Sequence, residues 1–317
     1  MQDNISFIVV NYFTNELIYD LIHSINQNNN EVHFEIVVVD NTTDEKFRFK
    51  SQFDKMKIYY TGKNVGFGSA CNIGAKLATH ENLVFMNPDT LFIHNESIQN
   101  LYKFFQAFPW NTIFGGRILN RDNKPVYNTF KFSNFIHIYF QNTFRRVFGM
   151  SLPLLTNIDS ACKKNHVTEV DWISGAFMCI NKEFFLKLGG FNQDLFMYEE
   201  DAELCYRAKL SNGKVVFTPT IKIVHYGSAA SKKNTELLSF IGLRSSLYFY
   251  EKRNSHLKAL LLKKLILITW KLLYFQFLIL ARIISPIFST RVSFLKKLVM
   301  IMKKYDKTST QEIIKNL

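Results

Sequence analysis

Four carboxylates fall within five positions, Glu199, Glu200, Asp201 and Glu203, directly after an aromatic run that includes Phe191, Phe196 and Tyr198. Acidic residues at this density have two readings. They open an amphipathic helix, where the positive end of the helix dipole favours them and Leu204 with Ala208 forms the buried stripe. Alternatively, one of them takes a proton from a substrate hydroxyl, the work of a carboxylate held within hydrogen-bond reach. Asp89, in the stretch Asn87-Pro-Asp-Thr90, has the same duality: turn chemistry on one side, a hard oxygen ligand for Mg²⁺ or Mn²⁺ on the other. His225 follows an apolar run and precedes Gly227 and Ser228. A single histidine there is either a satisfied structural residue or a partner for a carboxylate around a metal. Gly62, Gly66 and Gly68 lead into a small-residue helix beginning near Ala70, which makes either a tight turn or a backbone approach to an anionic ligand. Their spacing matches neither the dinucleotide fingerprint nor a Walker loop.

These residues need a frame to hold them. The short apolar runs at 5–10, 35–40, 57–60 and 82–86 read as strands, and residues 16–25 carry helical spacing through Leu17, Leu21, Ile22 and Ile25. Strands this continuously apolar, alternating with helices, predict an α/β fold with a mostly parallel sheet covered on both faces. Ligands of such sheets sit beyond the carboxyl ends of the strands. Asn11, Asp40 with Asn41, and Asn87 with Asp89 all fall at such ends. Further along, 96–108 predicts a helix, 112–119 a strand, 170–180 a strand with Ser174 and Gly175 in its middle, and 182–188 a helix capped by Gly189 and Gly190. Two short strands at 214–217 and 220–224 are expected on either side of Pro219. The aromatic and basic stretch 120–168 is either a lid or substrate-binding insertion or a small helical subdomain.

Composition narrows the function. The 317 residues carry a formal charge of +13, and its distribution is uneven: 22 basic and 22 acidic residues up to 230, then 17 and 4 over 231–317. A neutral domain with a basic tail argues against a protein that coats nucleic acid. Cys71, Cys162, Cys179 and Cys205 are far apart and read as reduced core cysteines, with neither a disulfide framework nor a zinc site. The N-terminus has no basic region and apolar core of a secretory signal, which points to the cytoplasm.

In their order and intervals, Asn11, Asp40-Asn41, the 62–68 loop with Asn64 and Asn72, Asn87-Pro-Asp89, Trp172-Ile-Ser-Gly175, Glu200-Asp201 with Arg207, and His225 resemble an inverting nucleotide-sugar glycosyltransferase of family 2, in its rhamnosyltransferase-like branch. The resemblance covers about residues 4–230. It implies a GT-A fold and a donor that is dTDP-rhamnose or a UDP-sugar. It also implies an acceptor hydroxyl on a saccharide or lipid-linked saccharide, in cell-surface polysaccharide synthesis. Asp40 would take the donor base, with Asn11, Asn41, Asn64, Gly66, Asn72 and Asn87 also on the donor side. Asp89 and His225 would hold a divalent metal on the diphosphate. Asp201 would be the catalytic base with Glu200 beside it, and Trp172 and Gly175 would floor the acceptor site. Glu199 and Glu203 are expected to be solvated or capping, and the helix dipole is expected to keep Asp201 ionised. Asn87 stands where many relatives have a second Asp, and Glu203 where Asp is more usual. A catalytically inactive relative serving as an assembly subunit is the alternative. A sugar-phosphate nucleotidyltransferase is disfavoured because the run Val9 to Thr14 contains no glycine.

The catalytic domain is expected over 1–230 and a helical, membrane-associating region over 231–317. Lys258, Lys263, Lys264 and Lys271 interrupt the apolar stretch, leaving 272–281 as the longest run without charge. Such a helix is expected to lie at the inner face of the cell membrane rather than cross it, with Trp270, Tyr274, Phe275 and Phe277 entering the lipid boundary. Packing on the main domain, or a dimer contact, is the alternative.

Overall fold

The computed structural model describes residues 4–28, 32–51, 53–94, 96–145, 148, 157–227, 235–283 and 289–305. In chain order the first elements are β1 (Asn4–Asn11), α1 (Asn15–Gln27), β2 (His33–Asp40), β3 (Met56–Tyr60), α2 (Phe67–Leu77), β4 (Asn82–Met86), β5 (Thr90–Phe92), α3 (Ser97–Ala107) and β6 (Thr112–Leu119). After them come β7 (Thr129–Phe130), α4 (Phe135–Phe140), β8 (Thr168–Glu169), β9 (Trp172–Ile173), β10 (Phe177–Asn181), α5 (Lys182–Lys187), α6 (Glu200–Leu210) and β11 (Lys214–His225). Three long helices close the chain: α7 (Thr235–Arg253), α8 (His256–Ile283) and α9 (Ser289–Tyr305). The chain divides into two compact units, one of Met1–Phe132, Ile158–Phe196 and Glu200–Ala230, the other of Ser133–Asn157, Met197–Glu199 and Ser231–Leu317.

The first unit is built on a mixed sheet in the order β3-β2-β1-β4-β10-β6-β11-β5, with β8 paired to β11. β3, β2, β1, β4, β6 and β11 run the same way, while β10 and β5 run against them. Alternate residues of β1 and β2 enter opposite cores, as period-two strands require. Phe7, Val9, Ile36 and Val38 pack with Ile18 and Leu21 of α1, whereas Ile8, Val10, Val37 and Val39 pack with Ala70, Cys71 and Ala75 of α2. Burial on both faces explains the unbroken apolar runs. All four cysteines are free and buried.

Two departures from the sequence reading shape the site. The stretch 170–180 is two strands, β9 and β10, broken at 174–176. The expected pair 214–217 and 220–224 is one strand, β11, whose register slips between Phe217 and Lys222 around Pro219. That bulge accommodates a residue lacking the N–H a ladder needs.

The second unit has its own apolar core, in which Ile138 of α4 packs with Leu243, Leu262, Ile266, Trp270, Leu295 and Leu298. Trp270 Nε1 donates to the Asn142 carbonyl at 2.7 Å, and the Tyr139 and Thr269 hydroxyls meet at 2.8 Å. Residues 135–145, within the stretch expected as a lid or small subdomain, therefore pack with the C-terminal helices. Trp270 and Phe277 are core residues and do not enter a lipid boundary; Phe275 is exposed. Residues His256–Ala281 of α8, with mean hydropathy 1.6, are long and apolar enough to cross a membrane by length and composition.

Candidate active site

The carboxyl ends of β1, β2, β4 and β11 lie along one rim, and Asn11, Asp40, Asn87 with Asp89, and His225 fall at or just beyond them. Asp89 follows β4 in a turn closed by Thr90, whose N–H and hydroxyl both donate to the Asn87 carbonyl, at 3.2 and 2.6 Å. The turn reading of this stretch holds. His225, the last residue of β11, pairs with Thr90 across the ladder, which brings its Nε2 to 3.0 Å from Asp89 Oδ1. The Tyr226 N–H donates to the Asp89 carbonyl at 2.9 Å and holds the same junction.

Asp201 is fixed at the second residue of α6. Its Oδ2 accepts from the Gly175 N–H at 2.9 Å and its Oδ1 from the Ala202 N–H at 2.8 Å. The break between β9 and β10 is what frees the Gly175 N–H for this role. One residue on, the Ala176 carbonyl accepts from the Asn87 N–H at 3.1 Å, so a short chain of backbone bonds links the Asp201 carboxylate to the turn that carries Asp89. Burial pushes the Asp201 carboxyl up from its ordinary value, and hydrogen bonds from Gly175 and Ala202 oppose without cancelling it. The amides at the start of α6 favour the charged form, but desolvation outweighs them, so the net direction is upward.

Two further acids of the cluster have fixed partners. Glu203 forms a two-pronged ion pair with Arg207, through Nε at 2.8 Å and Nη2 at 2.7 Å. Arg207 also donates to the carbonyls of Leu188 and Gly190. Glu199 accepts from the Ser246 hydroxyl at 2.7 Å. Neither acid is a solvated residue, because each has a fixed partner. Glu200 is buried, with its Cβ beside Gly68 at the start of α2.

Several residues expected on the donor side hydrogen-bond within the rim. Asp40 has no exposed surface, and its two oxygens accept from the N–H groups of Thr42 and Phe49 at 2.8 and 2.7 Å, folding the loop after β2. Asn11, equally buried, accepts from the Thr14 N–H and hydroxyl and donates to Asn15. Asn72 both donates to and accepts from the Phe191 backbone, each at 2.8 Å. Asn41 joins the Gly66 carbonyl at 3.2 Å and Thr61 at 3.1 Å, and Asn64 accepts from the Gly66 N–H at 3.0 Å. Gly66, with φ of +87°, sits where an added Cβ would collide with the Phe196 carbonyl. Its glycine is required by that approach as much as by its backbone angle. Trp172 stacks on Phe130 with ring centres 4.3 Å apart and donates to the Lys131 carbonyl.

Sequence reasoning missed Ser245 and Ser246. Their hydroxyls hold the Met197 carbonyl at 2.8 Å and the Glu199 carboxylate at 2.7 Å, just before Asp201. Tyr198 and Glu199 between them adopt left-handed angles, with φ of +69° and +67°. No signal in the sequence connects a Ser-Ser pair on a distant helix to that turn.

A mixed, mostly parallel sheet covered by helices is the architecture of GT-A glycosyltransferases. The structure aligns with a mannosyltransferase of Pyrobaculum calidifontis in complex with GDP-Man and Mn²⁺ (TM-score 0.53, 14% identity, 97% of this chain and 88% of that one). It also aligns with GalNAc-T7 with UDP, GalNAc and Mn²⁺ (TM-score 0.52, 15% identity, 80% of this chain); of that structure the chain spans half the length, 50%. Residues 6–163 match the model of glycosyl transferase family 2. The chain is 30% identical over 229 residues to the low-salt glycan biosynthesis hexosyltransferase Agl10 of Haloferax volcanii, covering 71% of this chain and 68% of the relative. It is 25% identical over 231 residues to the rhamnosyltransferase WbbL of Escherichia coli K12, covering 69% of this chain and 82% of the relative. The protein belongs to glycosyl transferase family 2 and is a glycosyltransferase.

Proposed function

We propose that the protein is an inverting glycosyltransferase that moves a hexose, rhamnose foremost, from a nucleoside-diphosphate donor to a hydroxyl of a saccharide or lipid-linked saccharide, at the cytoplasmic face of the membrane during cell-surface polysaccharide synthesis. The observation that supports this reading most is the rigid link from the Asp201 carboxylate, through Gly175 and Ala176, to the Asn87–Thr90 turn bearing Asp89 and His225. The acceptor hydroxyl gives its proton to Asp201 as its oxygen attacks the anomeric carbon from one face. On the opposite face the bond to the diphosphate oxygen breaks, and the electron pair leaves with the nucleoside diphosphate. One attack of this kind inverts the anomeric centre.

Asp89 and His225 suit a divalent cation. A carboxylate and an imidazole in contact would supply two of its ligands, the donor's diphosphate oxygens being of the hard type such a cation also takes. Among the described residues no group of three or more His, Cys, Asp or Glu converges on one point, so the protein's share is these two. When bound, the cation neutralises charge growing on the leaving diphosphate. Asn87 contributes its backbone to the turn, which explains how one side-chain carboxylate serves where a second Asp is absent. The test is thermal stabilisation of the purified chain by dTDP- and UDP-sugars with and without Mn²⁺. Stabilisation by one nucleotide class that grows with Mn²⁺ supports the reading, and none by any of them contradicts it.

A further inference from the structure

The outward side of α8 has a composition the core does not need. Leu257, Leu261, Leu265, Ile268, Leu272, Phe275 and Ile279 recur at steps of four and three, and all are exposed, from 37% at Leu265 to 75% at Leu257. At about 100° per residue they form one straight stripe, roughly 33 Å long at 1.5 Å per residue. The opposite side of the same helix, through Leu262, Ile266 and Trp270, is fully buried in the helical core. Lys258 flanks the stripe on one edge and Lys264 and Lys271 on the other, all exposed. From residue 252 to 305 the sequence has twelve Lys and Arg and no Asp or Glu.

We propose that this stripe seats along an anionic lipid surface, with α8 lying in the plane of the bilayer. Charge decides between occupants. A second copy of the chain would set lysines against lysines along the seam, with no acidic residue on α8 to answer them. Phosphate headgroups answer them directly, while seven apolar side chains enter the headgroup and acyl boundary. Crossing the bilayer is disfavoured because Lys271 stands at mid-helix and the inner face already packs on protein. The proposal rests on the reading that the enzyme works at a membrane, and it names the face and the lipid class.

The test uses the full chain with vesicles of phosphatidylcholine alone or mixed equally with phosphatidylglycerol. Sedimentation with the mixed vesicles only is expected. The Leu265→Asp/Ile268→Asp/Leu272→Asp variant should bind at least about tenfold more weakly. Lys258→Gln/Lys264→Gln/Lys271→Gln should lose about fivefold per lysine and much of the salt dependence. Both variants should keep the wild-type melting temperature and nucleotide stabilisation, which shows that they fold. Equal binding by the wild type and the Asp variant would overturn the stripe while leaving the membrane reading intact. No binding by the wild type to either vesicle would overturn both. A solution dimer dissolved by the Asp variant would assign the stripe to a second copy, and retention of the cellular protein in membranes after alkaline carbonate would show a spanning helix; either overturns the proposal.

Discussion

At Asp201, the proposed base, desolvation moves the carboxyl upward from its ordinary value of 3.8. A general base works best with a pKa near the operating pH. The protonated acid cannot accept the acceptor's proton, so kcat/KM should rise with pH along an acid limb lying above 3.8. A limb at or below that value would assign the base to another group. His225 offers an independent check, since its Nε2 is committed to Asp89 at 3.0 Å. In His225→Ala, nucleotide-sugar affinity measured with Mn²⁺ should fall at least about tenfold, while the affinity without metal stays level. The strand-end positions of Asp89 and His225 and the helix-start position of Asp201 were legible in the sequence, because apolar runs and an acidic first turn mark such ends locally. The partners of Asp40, Asn11 and Asn72 were not. An Asn or Asp at a strand end reads the same whether its side chain faces a ligand or bonds the next loop, and only the path of that loop decides.

At the scale of elements, the loop before α6 is strained and strapped. Two consecutive non-glycine residues with positive φ cost roughly 1–3 kcal/mol each, and Ser245 and Ser246 of α7 hold the turn they form. Removing both hydroxyls in Ser245→Ala/Ser246→Ala should lower kcat several-fold while leaving donor KM and the melting temperature nearly unchanged. A loss confined to KM, or none at all, would remove the strap from the account. From the other side, Asn72 on Phe191 and Arg207 on Leu188 and Gly190 anchor the approach to this loop. Asn72→Ala leaves a buried N–H and carbonyl without partners and should destabilise the fold by about 1–3 kcal/mol in denaturant titration. The sequence reading found α6, the glycine cap after α5 and most strands, because apolar period and capping residues are local. It ran 170–180 as one strand, since the break at Ser174 and Gly175 follows from a long-range bond to Asp201 that local propensity does not register.

For the whole molecule, a polar cluster at the sheet end away from the catalytic rim ties stability to pH. Glu35 is partly buried, which alone would raise its carboxyl, but bonds from Lys57, Ser6 and Thr79 lower it from 4.5 to about 2. The folded state therefore holds fewer protons than the unfolded chain between those values. The stability this group contributes is complete above pH 4.5 and drains away as pH falls toward 2. Glu35→Gln should be less stable at neutral pH, and its melting temperature should fall less steeply with acid than that of the wild type. The charge asymmetry that set the C-terminal helices apart was plain from the sequence. Which of their apolar residues faced inward was not, because Trp270 and Leu272 are equally apolar in a list of residues and are sorted only by the packing of α4, α7 and α9 around α8.

The central claim is that Asp201 is the base for transfer from a nucleotide sugar. The measurement that meets it most directly is turnover of dTDP- and UDP-sugars by wild type and Asp201→Asn with Mn²⁺, alongside thermal stabilisation of both by the same nucleotides. The variant should lose about 10²- to 10⁴-fold in turnover while its nucleotide stabilisation matches the wild type. Near-normal turnover in Asp201→Asn would contradict the account.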